Sequence, residues 1–477
     1  MQYGRKEILV DEMEITKDNI CNVVLKSLKI HLANVKDIQK LRRIEKGNQD
    51  ILNRIKEVRP EINNRIVENH ASEVTAFKVG YVFGSPVTYV QRSNKIENGE
   101  DANLDDKKIS LLNEMLFEES KDAKDQKLAR DFLITGVGYR MVLSKINITG
   151  TSVFDLIDLD PETTFIVKSN DIRKTELLHC NYSVLEDGKR ILGAYTDTNY
   201  YTLKVDASGG SCELIKTDIN GIGVKPIVEY INDCDRMGCF ERAIPLMNAI
   251  NVATSDRING LAQFVQSFIW FNNCGIDETQ FNELADKGGL MTFDIDENKP
   301  AKVQYLLGEL KQADTQTIID DLYDKILQIC CVPSREASTG GNTGQAILLS
   351  NGWQLAETSA KNTEMIFCES ERKLLRVIIA ILQKKSSIVG TNISGLKLSD
   401  IDIKFTRNRT DGLLVKTQAL QGMLSSGIHP LIAIDACGLF SDPQQVWNDS
   451  KPYIESLKND REVDETQIEV EKPIIAE

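Results

Sequence analysis

The sequence predicts an α+β protein, and three observations carry that prediction. Between Gly136 and Tyr230, short β-favouring segments follow one another between turn residues. On either side, apolar residues recur at spacings of three and four, the period of helices. Between Ile244 and Val332 two such helices flank a small insert, and a glycine-rich loop follows them.

Taken in order, residues 15–57 are helical in pattern, with Ile20, Val23, Val24, Leu28, Ile38, Leu41 and Ile44 on the stripe and a break at Gly47. A second helix is expected over Ile62–Val79, ended by Gly80. Beyond Pro86, Val87 to Val90 favour strand. Arg92–Lys108 is polar and acidic, which reads as a loop, and Ile109–Ile134 as one helix. Strands are then expected at 139–143, 154–159, 164–167, 176–182, 191–195, 200–205 and 227–231. Their tight connections imply a mostly antiparallel arrangement.

The helix from Ile244 carries Pro245 in its first turn, where the missing N–H costs nothing. Met247, Ile250, Ile258, Leu261, Val265 and Phe268 extend its stripe to about Trp270, a length of roughly 40 Å. Its partner runs from Thr315 to Val332, with Asp314 as the expected N-cap and Pro333 as the stop. In the insert, Asp277 and Gln280 have capping-box spacing and open a short helix through Ala285. Leu290–Ile295 and Lys302–Leu307 then form an expected hairpin across Asp296 to Pro300. A compact αββ module at the end of a helical stalk suits presenting a contact surface. After the loop, one helix from Gln345 to Lys384 is expected, with Gly352 as a kink. Leu396–Phe405 reads as a strand, and Asp411–Ile454 as short helices broken at Gly427, Pro430, Gly438 and Pro443. Residues 456–477 hold seven acidic against three basic side chains and read as a frayed tail.

The chain is 477 residues long, 41% hydrophobic and 27% charged, the composition of a folded soluble protein. Met1-Gln-Tyr-Gly-Arg-Lys-Glu lacks a signal-peptide pattern. No apolar run is long enough to span a bilayer, so no membrane contact is expected. A formal charge of −14 opposes coating of nucleic acid by phosphate neutralisation, though not passage beside it. The ten cysteines are scattered without a CxxC pair and read as reduced, packed thiols. His31, His70, His179 and His429 have no cysteine or carboxylate partner at motif spacing and read as packing or surface residues. No G-x-S-x-G, H-E-x-x-H or G-x-G-x-x-G appears. Gly344 is followed by Gln345-Ala346, whereas a Walker A needs Lys-Ser/Thr there, so nucleotide binding is not expected. Asp158/Asp160 and Asp400/Asp402 alternate along strands and would each face one side. Such pairs could hold a metal, but alternation alone produces them, and a solvated strand face is the expected reading. Neither an active site nor a cofactor is expected.

Several segments together resemble the portal proteins of tailed bacteriophages, over about residues 40–455. Lys78-Val-Gly-Tyr-Val-Phe-Gly-Ser-Pro-Val-Thr-Tyr89 is similar to the family's wing motif, and Gly136-Val-Gly-Tyr139 with Asp160-Pro161 to its strand start and turn. Phe240-Glu241 through Ser255-Asp256-Arg257 to Phe264 resembles the first stem helix. Val332-Pro333 and Gly340-Gly-Asn-Thr-Gly344-Gln-Ala346 resemble the loop joining the second stem helix to a long kinked helix. Ile44-Glu45 lacks the family's common aromatic pair, and Asn408 precedes Arg409-Thr410 where relatives often have proline.

The resemblance implies a phage portal fold with defined parts. Residues 1–240 would be the wing, rejoined by 389–408. Residues 241–270 and 313–332 would be stem helices, and 271–312 the clip. Residues 333–344 would be a tunnel loop and 345–388 the long kinked helix, followed by a crown at 409–455 and an acidic tail. It implies a ring-shaped channel, a homo-oligomer of twelve subunits in the virion, at one capsid vertex. Double-stranded DNA would pass non-specifically through it. Implied partners are the terminase large subunit, then head-completion or connector proteins, with the major capsid and scaffolding proteins around the ring. Implied stem positions are Ser255, Asp256, Arg257 and Gln263, and implied clip contacts are Asp277, Gln280, Leu290, Phe293, Val303 and Tyr305. The tunnel loop would present Ser334, Arg335, Ser338, Thr339, Gly340, Gly341, Asn342, Thr343 and Gly344 to DNA; read alone, it is a connector. Another head or head-completion protein is the alternative. A packaging enzyme would need the missing Walker A.

Overall fold

The computed structural model describes residues 4–57, 60–92, 99–148, 150–265, 268–272, 302–306, 312–334, 352–385, 395–405, 413–440, 445–454 and 456. Its N-terminal half is built on two sheets. The larger has the order β1-β5-β6-β7-β8-β9, formed by β1 (Ile8–Val10), β5 (Thr164–Ser169), β6 (Glu176–Val184), β7 (Arg190–Tyr195), β8 (Asn199–Val205) and β9 (Cys212–Ile219). All its pairs are antiparallel except β1 with β5. The smaller sheet sets β3 (Val137–Ser144) between β10 (Ile227–Ile231) and β4 (Phe154–Leu159). Helix α1 (Ile20–Glu45) covers one face of the larger sheet, where Val23, Val24 and Leu28 meet Phe165, Leu178 and Leu203. Ile166 on the other face packs with Val137, Tyr139 and Ile227 of the smaller sheet.

A second core joins α2 (His70–Phe83), α3 (Gly99–Glu118) and α4 (Lys121–Thr135) to a long helix later in the chain, Trp353–Lys384. The apolar far half of that helix is buried as its sequence implied: Leu374, Leu375, Val377, Ile378, Ile381 and Leu382 are all at most 5% exposed. β2 (Val87–Gln91) pairs with β13 (Ile401–Phe405) from the C-terminal part.

Beneath this helix lies a buried charge cluster. Arg140 Nε donates to Asp158 (2.8 Å) and its Nη1 to Asp125. Lys121 bridges Asp125 (2.6 Å) and Glu371 (3.3 Å). The Tyr89 and Tyr230 hydroxyls donate to the Glu371 carboxylate. Two cations thus face three carboxylates, and two tyrosines satisfy the third. Burial pushes the Asp125 carboxyl up, but Lys121 and Arg140 outweigh it and hold it below its ordinary range.

Several expected elements move. Residues 62–69 are not helical, and α2 starts only at His70, because this segment's N–H groups find side-chain partners elsewhere. Gly80 lies inside α2, and the helix ends at Gly84, where a Cβ would meet the Gly80 carbonyl oxygen at 2.2 Å. Helix α3 begins at Gly99 within the expected acidic loop, and the expected single helix 109–134 breaks at Ser120, whose φ is +52°. The sequence pattern missed β1 and β9, one only three residues long and the other largely solvent-facing. Asp158 and Asp160 do not share a face: Asp158 is buried on Arg140, while Asp160 pairs with Arg42 at 2.8 Å. Asp400 caps a 3-10 turn (Leu398–Asp400), so only Ile401–Phe405 of the expected strand forms. His70 and His179 do have carboxylate partners three residues away, Glu73 at 3.0 Å and Glu176 at 3.1 Å. No described helix is long and apolar enough to cross a membrane, and no described cluster of three or more His, Cys, Asp or Glu could hold a metal.

Candidate functional site

Helix α5 (Ile244–Val265) and helix α6 (Gln312–Cys330) form the helical pair on which the candidate functional positions lie. Their roots share one core with the end of α1 and with α2. Met247, Ile250, Ile319, Ile326 and Cys330 meet Leu41, Ile44, Ala71 and Val74 there. Tyr323 of α6 stacks on His70 (4.7 Å between ring centres) and donates to Glu73 (2.8 Å). Burial pushes the Cys330 thiol up to about 12, which makes it an inert packing group.

Farther along, the apolar stripe comes out of the core: Ile258 is 38% exposed, Leu261 49% and Ile318 58%. Helix α5 is also shorter than its stripe implied. It ends at Val265, and Phe268–Asn272 is a strand (β11), paired antiparallel with β12 (Lys302–Leu306). Trp270 therefore sits opposite Gln304 in a ladder. Phe and Trp suit a strand as well as a helix face, so the stripe alone could not mark the end. The expected strand over 302–307 exists, and its described neighbour is β11; residues 290–295 lie outside the described residues. Val303 and Tyr305 are in β12, opposite Phe271 and Ile269. Asp277, Gln280, Leu290 and Phe293 fall outside the described residues.

The four positions on α5 divide. The Ser255 hydroxyl is buried and accepts the Ile66 N–H at 2.9 Å. Asn251, one turn earlier, accepts the Glu68 N–H at 2.8 Å, and Asn259, one turn later, the Asn64 N–H at 2.7 Å. Side chains at i, i+4 and i+8 stand one above another on a helix, and alternate N–H groups share one side only of an extended chain. Residues 64–68 are thus strapped to α5 by a polar ladder, with Thr254 donating to the Glu68 carboxylate beside it. Asp256 pairs with Arg54 at 2.7 Å, and Arg257 reaches across to Gln312 (2.8 Å) and Gln316 of α6. Gln263 lies in the last turn of α5. Sequence reasoning named Ser255 as a stem position but missed Asn259 and the strap. The Asn251-Ser255-Asn259 spacing was a visible signal, but its partner lies far away in sequence. Ser255→Ala should leave the partly buried Ile66 N–H without its protein partner and destabilise the strap by about 1 kcal/mol. Hydrogen exchange at the Ile66 amide should accelerate accordingly.

Helix α6 starts at Gln312, so Asp314 lies in its first turn and is not the N-cap. It ends at Cys330 through Cys331 (φ +55°), ahead of Pro333. Ser334 is half-buried, and Arg335, Ser338, Thr339, Gly340, Gly341, Asn342, Thr343 and Gly344 lie outside the described residues. The chain is next described at Gly352, which directly precedes a helix. With φ +79° it caps α7, which spans Trp353–Lys384. Residues 345–351 of the expected helix lie outside the described residues. A Cβ on Gly352 would lie 3.8 Å from the Pro333 Cα, so the two ends of the loop adjoin. Trp353 packs on Phe77 and Tyr81, and Tyr81 donates to Glu357 at 2.9 Å, which fixes the second end.

After the last strand, α8 (Leu413–Ser425) and α9 (Pro430–Cys437) are separated near Gly427, whose φ is +81°. Residues 445–454 are helical as well. No curated protein matches the chain. Residues 25–450 match the family model described as phage portal protein, SPP1 Gp6-like.

Proposed function

The chain belongs to the SPP1 Gp6-like phage portal proteins, and from that membership we propose that it forms the ring-shaped channel at one capsid vertex. The family is a structural one of the virion, and membership implies a ring oligomer associated with the capsid. The observation that carries the reading is the outer half of the α5–α6 pair. Ile258, Leu261 and Ile318 are exposed on a single subunit, and a head-to-tail contact that closes would cover them. In this reading α5 and α6 are the stem, residues 271–312 the clip, residues 333–344 the tunnel loop and α7 the long helix. Residues 1–240 with 389–408 form the wing, and 409–455 the crown. The described pairing of β2 with β13 supports the return of the chain to the wing.

Twelve copies of a chain with formal charge −14 surround the duplex. Such an acidic channel repels phosphate and keeps DNA mobile during packaging, retention and ejection. The clip docks the terminase large subunit during packaging and head-completion proteins afterwards, by offering strand edges. The tunnel loop touches DNA without reading sequence. Its glycines give conformational freedom, and Arg335 is its lone cation.

Sedimentation and native mass spectrometry of the purified chain should give one large discrete assembly, and electron microscopy a ring with a central hole. Monomer at every concentration, salt and pH would overturn the reading. Leu261→Asp with Ile318→Asp should shift the assembly to monomer while leaving the circular dichroism spectrum unchanged. For the loop, cysteines at Ser338 and Asn342 would tether neighbouring subunits. Normal packaging by the tethered ring would make the loop a connector only.

A further inference from the structure

Residues 4–10 precede the family-matched stretch, which starts at residue 25, yet they run from the start of α5 to the edge of the large sheet. At one end, Glu241 lies in the 3-10 turn that leads into α5 and is fully buried. Its carboxylate accepts three N–H groups from two separate segments. These are the Gly4 amide (3.2 Å), the Arg5 guanidinium (2.7 Å) and the Gly238 amide (2.9 Å). The other arm of the Arg5 guanidinium donates to the Thr135 carbonyl at 2.9 Å, and the Arg5 amide to the Arg236 carbonyl at 3.0 Å. The Arg5 and Glu241 side chains are 1% and 0% exposed.

Three backbones meet here closely enough to exclude any side chain. A Cβ at Gly4 would lie 2.1 Å from the Asp235 carbonyl oxygen. At Gly136 it would lie 2.1 Å from that of Arg236, and at Gly238 2.3 Å from that of Ile134. At the other end, Lys6 exchanges two hydrogen bonds with the Asn34 side chain of α1, at 3.0 and 2.9 Å. Ile8–Val10 then adds to β5 in parallel.

We infer that residues 4–10 are a positioning latch, in which the Arg5–Glu241 pair fixes the start of α5 against α4 and the large sheet. A tail merely resting on the surface would need neither a buried ion pair nor a glycine where it crosses the Asp235 backbone. Because Glu241 is buried, loss of Arg5 leaves its charge uncompensated at the point where the chain turns into α5. The latch acts within one chain, so it stands apart from the ring reading and can be tested without it.

The test is hydrogen exchange on Arg5→Lys and Arg5→Met at neutral pH. Lysine keeps the charge but cannot reach Thr135 and Glu241 together as the guanidinium fork does. Arg5→Lys should speed exchange at the Gly238 amide and the first turn of α5 by roughly ten- to a hundredfold, with β6, β7 and β8 unchanged. Arg5→Met should extend the effect through residues 238–250. If only residues 4–10 loosen in either variant, they are a docked tail and the proposal fails. Uniform loosening of the whole chain in Arg5→Lys would also overturn it, since a latch acts locally.

Discussion

Arg140→Met is expected to destabilise the protein by about 3–5 kcal/mol, read as a lower denaturant midpoint. Arg140 is fully buried and binds both Asp125 and Asp158, whose side chains are each 4% exposed. Removing it leaves Asp158 without its cation and Asp125 with Lys121 alone, which Glu371 also shares. Methionine restores volume but not charge. The loss should spread to α7, because Glu371 belongs to that helix and holds Tyr89 of β2 and Tyr230 of β10 together. Fluorescence of Trp353, at the start of the same helix, offers a local readout of that spread.

The second large effect is acid destabilisation in two stages. Burial pushes the His31 imidazole down to about 4 from 6.5, against the pull of the Glu162 carbonyl it binds. Between those values the unfolded chain holds a proton that the folded chain does not, so stability falls as pH drops from about 6.5 to about 4. Glu229 has the opposite balance. Burial raises it, but the bidentate Arg236 contact, Lys168 and the Tyr139 hydroxyl outweigh this and hold it near 2, against 4.5. Its stabilisation is complete above about 4.5 and is lost as pH falls through about 2. Each stage amounts to about 3 kcal/mol. His31→Gln should flatten the upper part of the stability–pH curve, and Glu229→Gln the lower. An unchanged slope in either variant would contradict the assignment.

Much of the fold was legible in local pattern. Seven of the nine strands in the two large sheets were visible from alternation and turn residues, and Pro245 marked the start of α5 correctly. What was missed involves partners distant in sequence. Residues 62–69 look helical by spacing, yet side chains of α5 nearly two hundred residues away claim their N–H groups. The acidic start of α3 reads as a loop because charge repulsion is local and visible, while the packing of Ile109, Leu112 and Met115 is not. Of the candidate site, the positions of α5 and α6 were readable, although α6 ends at Cys330 and not at the expected stop, Pro333. The duties of Ser255, Asp256 and Arg257 were not, since each is set by what folds against it. Family membership came from the order of motifs over four hundred residues, a kind of information that no single helix or strand carries.

The ladder on α5 also works as a vernier. Four residues of helix advance about 6.0 Å, whereas two residues of extended chain advance about 6.7 Å. The two scales therefore drift apart by about 0.7 Å per rung. Three rungs at 2.7, 2.9 and 2.8 Å absorb that drift. A fourth would be out by about 2 Å, beyond what an N–H···O bond tolerates. Coincidence is thus confined to a short window of three rungs. The length of the strap is therefore set by the mismatch between helix rise and strand rise.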